Sequence, residues 1–412
     1  MEPIKEKARG QFASITIKLL NMRNSWLFSA CFAVIMISSC KKSGGSDDDG
    51  GGGGGGFPPP PPTGQKDIAA VDDAVKNFML KYKIPGVSIA VTKDDKLVYV
   101  KSYGQMSEAD NTPITNNSLF RIASVSKPIT GVGIMKLLEA NKLTLDSKVF
   151  GTGGILGNDY PSSKLGDVSD LTVRHLLHHT SNVWPNDGND PMFQQPQMNH
   201  AQLIKWTLDN KNGKATRGYY LYSNFGYCLL GRIIEKLSGK SYEQFIKDEV
   251  LKPSGITNMQ MGGNTLADRK TNEVIYTGQG GFNPYSFNLS RMDSHGGWLA
   301  SATDLAKFIV RVDGFPGKPD ILKPETIQTM ITRSVPSSNY ACGWGVNSAN
   351  HWWHTGSLPG TAAQIIRAAN GISWVILCNS RSLDNSFDGA LDGLLWPFAT
   401  TSSYVWQDID QF

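Results

Sequence analysis

Phe120-Arg121-Ile122-Ala123-Ser124-Val125-Ser126-Lys127-Pro128 leads into a helical apolar pattern that runs on through Ile134 to Leu138. It holds a Ser-x-x-Lys where a helix begins. Residues three apart lie on one helical face, so the Ser124 hydroxyl and the Lys127 ammonium can meet. The helix N-terminus adds a positive dipole end and free N–H groups beside the hydroxyl. A lysine acts as a base only when neutral, and burial in a poorly solvated pocket favours the neutral amine. A depression of about two pKa units corresponds to roughly 2.7 kcal/mol against the ammonium. Pro128 is tolerable this early in a helix.

The spacing alone is weak evidence, because Ser38 to Lys41 and Ser39 to Lys42 repeat it by chance. Two later elements give it context. Tyr222-Ser223-Asn224 is the only Tyr-x-Asn in the chain and lies at the start of another helical pattern. His354-Thr355-Gly356 follows a strand-like region from Trp344 to Trp353. A phenol beside a lysine that stabilises its phenolate can relay protons, and an asparagine amide can hold a substrate amide by donor and acceptor together.

Around these elements the pattern predicts a sheet built from both ends of the folded unit. Asp67 is placed to cap a helix with apolar positions Ile68, Val71, Val75, Phe78 and Met79. Val87 to Val91 and Leu97 to Val100 flank a Lys93-Asp94-Asp95 turn and read as a hairpin. Ala363 to Ala368 and Ile372 to Cys378 flank Asn370-Gly371, a strong hairpin signal, and Phe387 to Phe398 reads as helix. From about 120 to 310 helical patterns dominate, among them Leu229 to Leu237 and Leu305 to Val312. The expectation is an α/β (α+β) chain with an antiparallel sheet from both termini, flanked by helices, and a mainly helical second lobe. The cleft between such lobes is where a site is expected.

With the three motifs in this order, the chain resembles the serine β-lactamase and penicillin-binding DD-peptidase superfamily, in particular class C β-lactamases, D-Ala-D-Ala carboxypeptidases, D-aminopeptidases and related esterases. The resemblance covers about Asp67 to Phe398, and Leu171 to Ser181 and Gly296 to Ser301 support it. It implies a β-lactamase/transpeptidase-like fold and a serine hydrolase that works through an acyl-enzyme. By that resemblance Ser124 is the nucleophile, Lys127 its base partner and Tyr222 the proton shuttle to the leaving group. Asn224 would orient the substrate, and His354, Thr355 and Gly356 would line the edge strand on which it docks. The backbone N–H groups of Ser124 and Ser357 would form the oxyanion hole; losing one such donor costs about a hundredfold to a thousandfold in rate. No cofactor and no metal are implied.

The third motif begins with His354 where class C β-lactamases have lysine. Histidine there is found in the D-Ala-D-Ala carboxypeptidases and D-aminopeptidases of the family, so peptide or ester cleavage is favoured over β-lactam hydrolysis. The expected substrate is a peptidoglycan-type peptide or a small ester or amide. An unperturbed histidine loses its charge near about pH 6.5, so binding of carboxylate substrates is expected to weaken above neutrality. Asn182 stands where many relatives have glycine after His-Thr-Ser. A surface sensor that binds penicillins without turnover would carry the same residues and remains an alternative.

Residues 1–39 read as a signal peptide, with Arg23 ahead of an apolar run from Trp26 to Met36 too short to span a bilayer. Met22 opens a compact signal of its own and is a candidate start. Ile37-Ser38-Ser39-Cys40 resembles the lipobox of bacterial lipoproteins, with Cys40 lipidated; an ordinary cleaved signal is the alternative. Residues 40–66 form a tether, with glycines from Gly50 to Gly56 and prolines from Pro58 to Pro62, and the hydrolase domain spans 67–400. The expected location is the bacterial cell envelope, on the periplasmic face or the outer surface. Asp47 to Asp49 reads either as an outer-surface sorting signal or as part of a soluble linker.

The 412 residues carry 40% hydrophobic and 18% charged side chains, enough for a large folded unit. Their formal charge is +4, and about +1 remains once residues 1–39 are removed, which leaves no bias toward nucleic acid. Cys228, Cys342 and Cys378 lack metal-ligand spacing, and buried free thiols are expected for Cys228 and Cys378. His175, His178 and His179 suggest a metallohydrolase as a rival, but no Asp or Glu joins them at a zinc-ligand spacing. Trp352-Trp353 reads either as a sugar-stacking platform or as packing beside the site.

Overall fold

The computed structural model describes residues 64–334, 339–401 and 406–412. The signal, Cys40 and nearly all of the tether lie outside the described residues. Six antiparallel strands form the main sheet in the order β2-β1-β9-β8-β7-β6: β1 Gly86–Lys93, β2 Lys96–Gly104, β6 Gly345–Val346, β7 Trp352–Leu358, β8 Thr361–Arg367 and β9 Ile372–Cys378. Both expected hairpins form. Asp94 and Asp95 take left-handed φ values of 50° and 62° in the first, and Gly371 takes 86° in the second, as tight reversals between right-twisted strands require.

Alternation along the strands explains why both faces of the sheet are covered. On β1, Ile89 and Val91 face one core while Ala90 faces the other. On β9, Trp374 and Ile376 join the first and Val375 and Leu377 the second. The first core is closed by Val71, Val75 and Phe78 of the helix Ala69–Tyr82 and by Phe387 and Leu391 near the C-terminus. The second merges with the helical lobe that the chain builds between β2 and β6.

That lobe contains the helices Ser126–Glu139, Asn224–Ser238 and Ala302–Ile309, and a small sheet that the sequence pattern did not announce: β3 Phe120–Arg121, β5 Trp298–Ala300 and β4 Gln260–Met261, in that order. Its strands are two or three residues long, too short for a period to show. Ser126 through Met135 are buried on every side, so the helix that follows Ser124 forms the axis of the lobe.

Three local readings change. Asp67 does not cap the first helix; Ile68 holds that position without a side-chain bond, and Asp67 pairs instead with Lys101 at 2.7 Å. An ammonium within reach offers a carboxylate more than a cap shared with water. The tether ends earlier than residue 66, because the Gln65 amide makes a reciprocal pair with the Val100 backbone, at 3.1 and 2.9 Å. Beyond residue 400, Trp406 is buried and Gln411 N–H reaches the Leu97 carbonyl at 3.1 Å, so the end of the chain packs along β2.

Candidate active site

A strained turn presents Ser124. Ala123 has φ 46°, a left-handed value that costs a residue with a Cβ about 1 kcal/mol or more. It opens a short 3-10 turn, Ala123–Val125, that runs directly into the helix Ser126–Glu139. Ser124 is left half-buried while Lys127, one turn on, is fully buried.

Lys127 Nζ lies 3.1 Å from Ser124 Oγ, 2.8 Å from Asn224 Oδ1 and 2.9 Å from the His295 carbonyl. Burial pushes its pKa well below the usual lysine value, opposed by the negative charge of Asp190. A neutral amine has two N–H bonds and one lone pair. The amide and carbonyl oxygens accept only, so they take the two N–H bonds, and the lone pair is left for the Ser124 hydroxyl. This is the arrangement of a base receiving a proton from a nucleophile.

Ser223 caps the helix Asn224–Ser238, its hydroxyl accepting from Gly226 N–H at 3.1 Å, and so sets Tyr222 and Asn224 on either side of the helix start. Ser223 N–H donates to His179 Nδ1 at 3.1 Å, and the His179 ring lies 4.2 Å from that of Tyr222. Burial raises the Tyr222 pKa far above the ordinary phenol value, and its hydrogen bond with Ser124 opposes the shift. Burial thus favours the neutral phenol of Tyr222, with Lys127 Nζ 4.8 Å from its ring centroid. A phenol suits proton donation to a leaving group. The Asn224 amide is fully engaged: Oδ1 faces Lys127, and Nδ2 donates to Asn186 Oδ1 at 2.9 Å and to Asp190 Oδ2 at 2.8 Å. In this state it holds the lysine and has no N–H left for substrate.

Strand β7 forms the opposite wall. β6 pairs with β7 only at Trp352 and Trp353, so the edge from His354 to Leu358 is not covered by it. Gly356 allows the strand to touch the Ser124 turn: a Cβ there would sit 2.1 Å from the Ile122 carbonyl oxygen and 3.1 Å from Ser124 N. The two expected oxyanion donors, on Ser124 and Ser357, thus lie on segments in direct contact. Thr355 and Ser357 are exposed. Beside them a cleft of about 370 Å³ is lined by Tyr220, Tyr222, Tyr340, Trp353, His354 and Thr355.

His354 does not supply a cation. Its Nδ1–H donates to the Thr355 carbonyl at 2.7 Å, so its Nε2 accepts from the Tyr340 hydroxyl at 2.9 Å. Burial, with the nearby Lys127, holds its pKa down to about 3, the bond to Thr355 opposing. The loss of charge expected near neutrality is thereby corrected: His354 is already neutral throughout that range.

Several functional candidates carried no sequence signal. Asp190 and Asn186 sit in an irregular loop, and Arg381, just past β9, donates to the Ser357 hydroxyl. Of the histidine triplet, His175 shares a capping box with Thr172, His178 Nε2 lies 3.1 Å from Cys342 Sγ, and His179 packs under Tyr222. Among the described residues, no three His, Cys, Asp or Glu side chains are grouped to hold a metal. Cys228, Cys342 and Cys378 are buried free thiols. Trp352 is buried against Trp344 and Arg367, whereas Trp353 lines the cleft.

The chain is similar in sequence and in fold to known proteins. Residues 71–394 match the family described as Beta-lactamase. Penicillin-binding protein 4* of Bacillus subtilis (strain 168) is 25% identical over 340 residues, covering 76% of this chain and 71% of that protein. Protein flp of Staphylococcus aureus (strain NCTC 8325 / PS 47) is 27% identical over 329 residues, covering 76% of this chain and 63% of flp, so the chain spans less than two thirds of flp. The structure of D-amino acid amidase from Ochrobactrum anthropi SV3 complexed with L-phenylalanine amide aligns with a TM-score of 0.64 at 21% identity, covering 79% of this chain and 97% of the amidase.

Proposed function

This chain belongs to the beta-lactamase family, within the serine β-lactamase and penicillin-binding protein superfamily, and is a serine hydrolase; from that premise we propose that it cleaves peptide-like amides through an acyl-enzyme on Ser124, as a D-Ala-D-Ala carboxypeptidase or D-amino-acid peptidase does. The observation that carries the proposal is the buried amine of Lys127, whose lone pair has Ser124 as its remaining partner.

Ser124 Oγ attacks the substrate carbonyl as its proton passes to Lys127, and the oxyanion forms against the backbone N–H groups of Ser124 and Ser357. Tyr222 gives its proton to the leaving nitrogen as the C–N bond breaks. Transfer of the proton from Lys127 to the phenolate resets both groups, and water then cleaves the ester on Ser124. The neutral His354 supplies no fixed cation for a substrate carboxylate, which β-lactams and D-Ala-D-Ala peptides alike carry, so it does not decide between them. The amidase with the same fold acts in keeping with amide cleavage. We also propose that Cys40 carries the lipid anchor and that residues after it tether the enzyme to the bacterial envelope.

The test incubates the purified full chain with a D-Ala-D-Ala peptide, a fluorescent penicillin and a short-chain nitrophenyl ester, following turnover and intact mass. Release of D-alanine supports the proposal. Fast β-lactam or ester cleavage without peptide turnover replaces it with the lactamase or esterase reading, and a stable penicillin adduct without turnover replaces it with a sensor.

A further inference from the structure

Asp190 is 1% exposed and caps the short turn Pro191–Phe193, accepting from Met192 N–H at 2.9 Å. Its other oxygen takes Asn224 Nδ2–H, on the far side of the amide from Lys127. We propose that Asp190 is a positioning residue that locks the Asn224 amide and through it aims the Lys127 lone pair at Ser124. The inference rests on the reading of Lys127 as the base.

The lock follows from donor and acceptor directions. An ionised carboxylate accepts only, so Asn224 must present an N–H to Asp190 and its oxygen to Lys127. Asn186 takes the second N–H, but it is itself an amide that can turn over, so it cannot fix the direction. Its own backbone N–H is held on the Tyr222 carbonyl at 2.9 Å, which ties the loop to the start of the helix Asn224–Ser238. If the Asn224 amide turned, its NH₂ would face Lys127. A neutral amine would then give its lone pair to Asn224 instead of Ser124, and an ammonium would face another donor. Either outcome leaves the nucleophile without a base.

Charged groups near Asp190 come from several elements: Lys127 and Asp187, Arg291, which donates to the Met192 carbonyl at 3.0 Å, and Lys211, which donates to the Asn189 carbonyl at 3.0 Å. Burial, the largest influence, pushes the Asp190 pKa up to about 6; the hydrogen bonds from Asn224 and Met192 N–H oppose it, as does Lys127 whenever it is protonated, and Asp187 on its own loop adds to it. A protonated Asp190 can donate to Asn224 Oδ1, which releases the lock. Acylation should therefore fall away as the pH drops through about 6.

The experiment measures kcat, KM and the pH profile of the full chain on a short-chain nitrophenyl ester for Asp190→Asn, Asp190→Ala, Asp190→Glu and Ser124→Ala, with thermal melting of each. Asp190→Asn keeps the shape but can donate, so it imitates the protonated state; we expect kcat to drop about tenfold to a hundredfold with KM changed less than about twofold. The acid limb near pH 6 should flatten, and Asp190→Glu, with an accepting head, should recover part of the rate. A kcat and acid limb unchanged in Asp190→Asn, with Ser124→Ala inactive, overturns the role of Asp190 and leaves the proposed function standing. Losses in Asp190→Asn and Asp190→Ala that only track lost folded protein also overturn it. Equal rates for Ser124→Ala and the parent would remove the proposed function itself.

Discussion

Lys127 and His354 are both basic side chains buried beside the Tyr222 ring, and the groups around them fix opposite uses. Lys127 meets two oxygens that only accept and one hydroxyl that can donate, so its free electron pair has a reactive destination. His354 meets a carbonyl that takes its proton and a phenol that fills its lone pair, so both nitrogens are occupied within the protein. Desolvation lowers both pKa values, but only one neutral group is left able to react. Burial makes a base available, and the direction of the surrounding hydrogen bonds decides whether it serves chemistry or architecture.

The comparison breaks most severely at the nucleophile. Ser124→Ala should lower kcat/KM by about 10⁴-fold or more on any accepted substrate, measured as initial rates; parental rates would remove the helical wall from the reaction. Lys127→Arg comes next, with an expected loss of about a thousandfold. Arginine keeps a positive charge and cannot lose its proton, so an active, folded Lys127→Arg would mean that charge, not basicity, is what the position provides. Thermal melting separates that loss from misfolding.

Gly356→Ala probes the strand wall. Its new Cβ would lie 2.1 Å from the Ile122 oxygen, a distance no packing accommodates, so β7 must retreat from the Ser124 turn. Acylation should fall about a hundredfold while the Lys127 contacts stay intact, because the oxyanion donors separate. An unchanged rate would show that β7 does not supply one of them.

These positions also show what the sequence makes legible. Ser124 and Lys127 are local, three residues apart on a helix, and the Asn370-Gly371 and Asp94-Asp95 turns are equally local, so spacing and turn chemistry reveal them. The neutrality of His354 depends on its burial, with its Nε2 held by Tyr340 fourteen residues upstream, and the engagement of Asn224 depends on Asp190, thirty-four residues away. Neither the loop bearing Asp190 nor the short β3, β4 and β5 has a period to read. The roles of Lys127 and His354 as cations or bases were thus set by partners that only the folded chain assembles.

The smallest effect tests the architectural role directly. Gln at position 354 can donate and accept as the neutral imidazole does, so His354→Gln should change kcat/KM by less than about threefold. For the parent, KM of a carboxylate-bearing peptide should show no step between about pH 5.5 and 8 from this residue, since it carries no charge there to lose; a step near 6.5 would restore His354 as a substrate cation. Stability should carry the signature instead. In the folded chain His354 stays unprotonated down to about 3, while the unfolded chain takes up that proton near about 6.5. Between those values the unfolded state binds more protons, so stability is full above about pH 6.5 and declines as the pH falls toward 3. Melting temperatures across that window should fall less steeply for His354→Gln than for the parent, because glutamine has no proton to take up on unfolding.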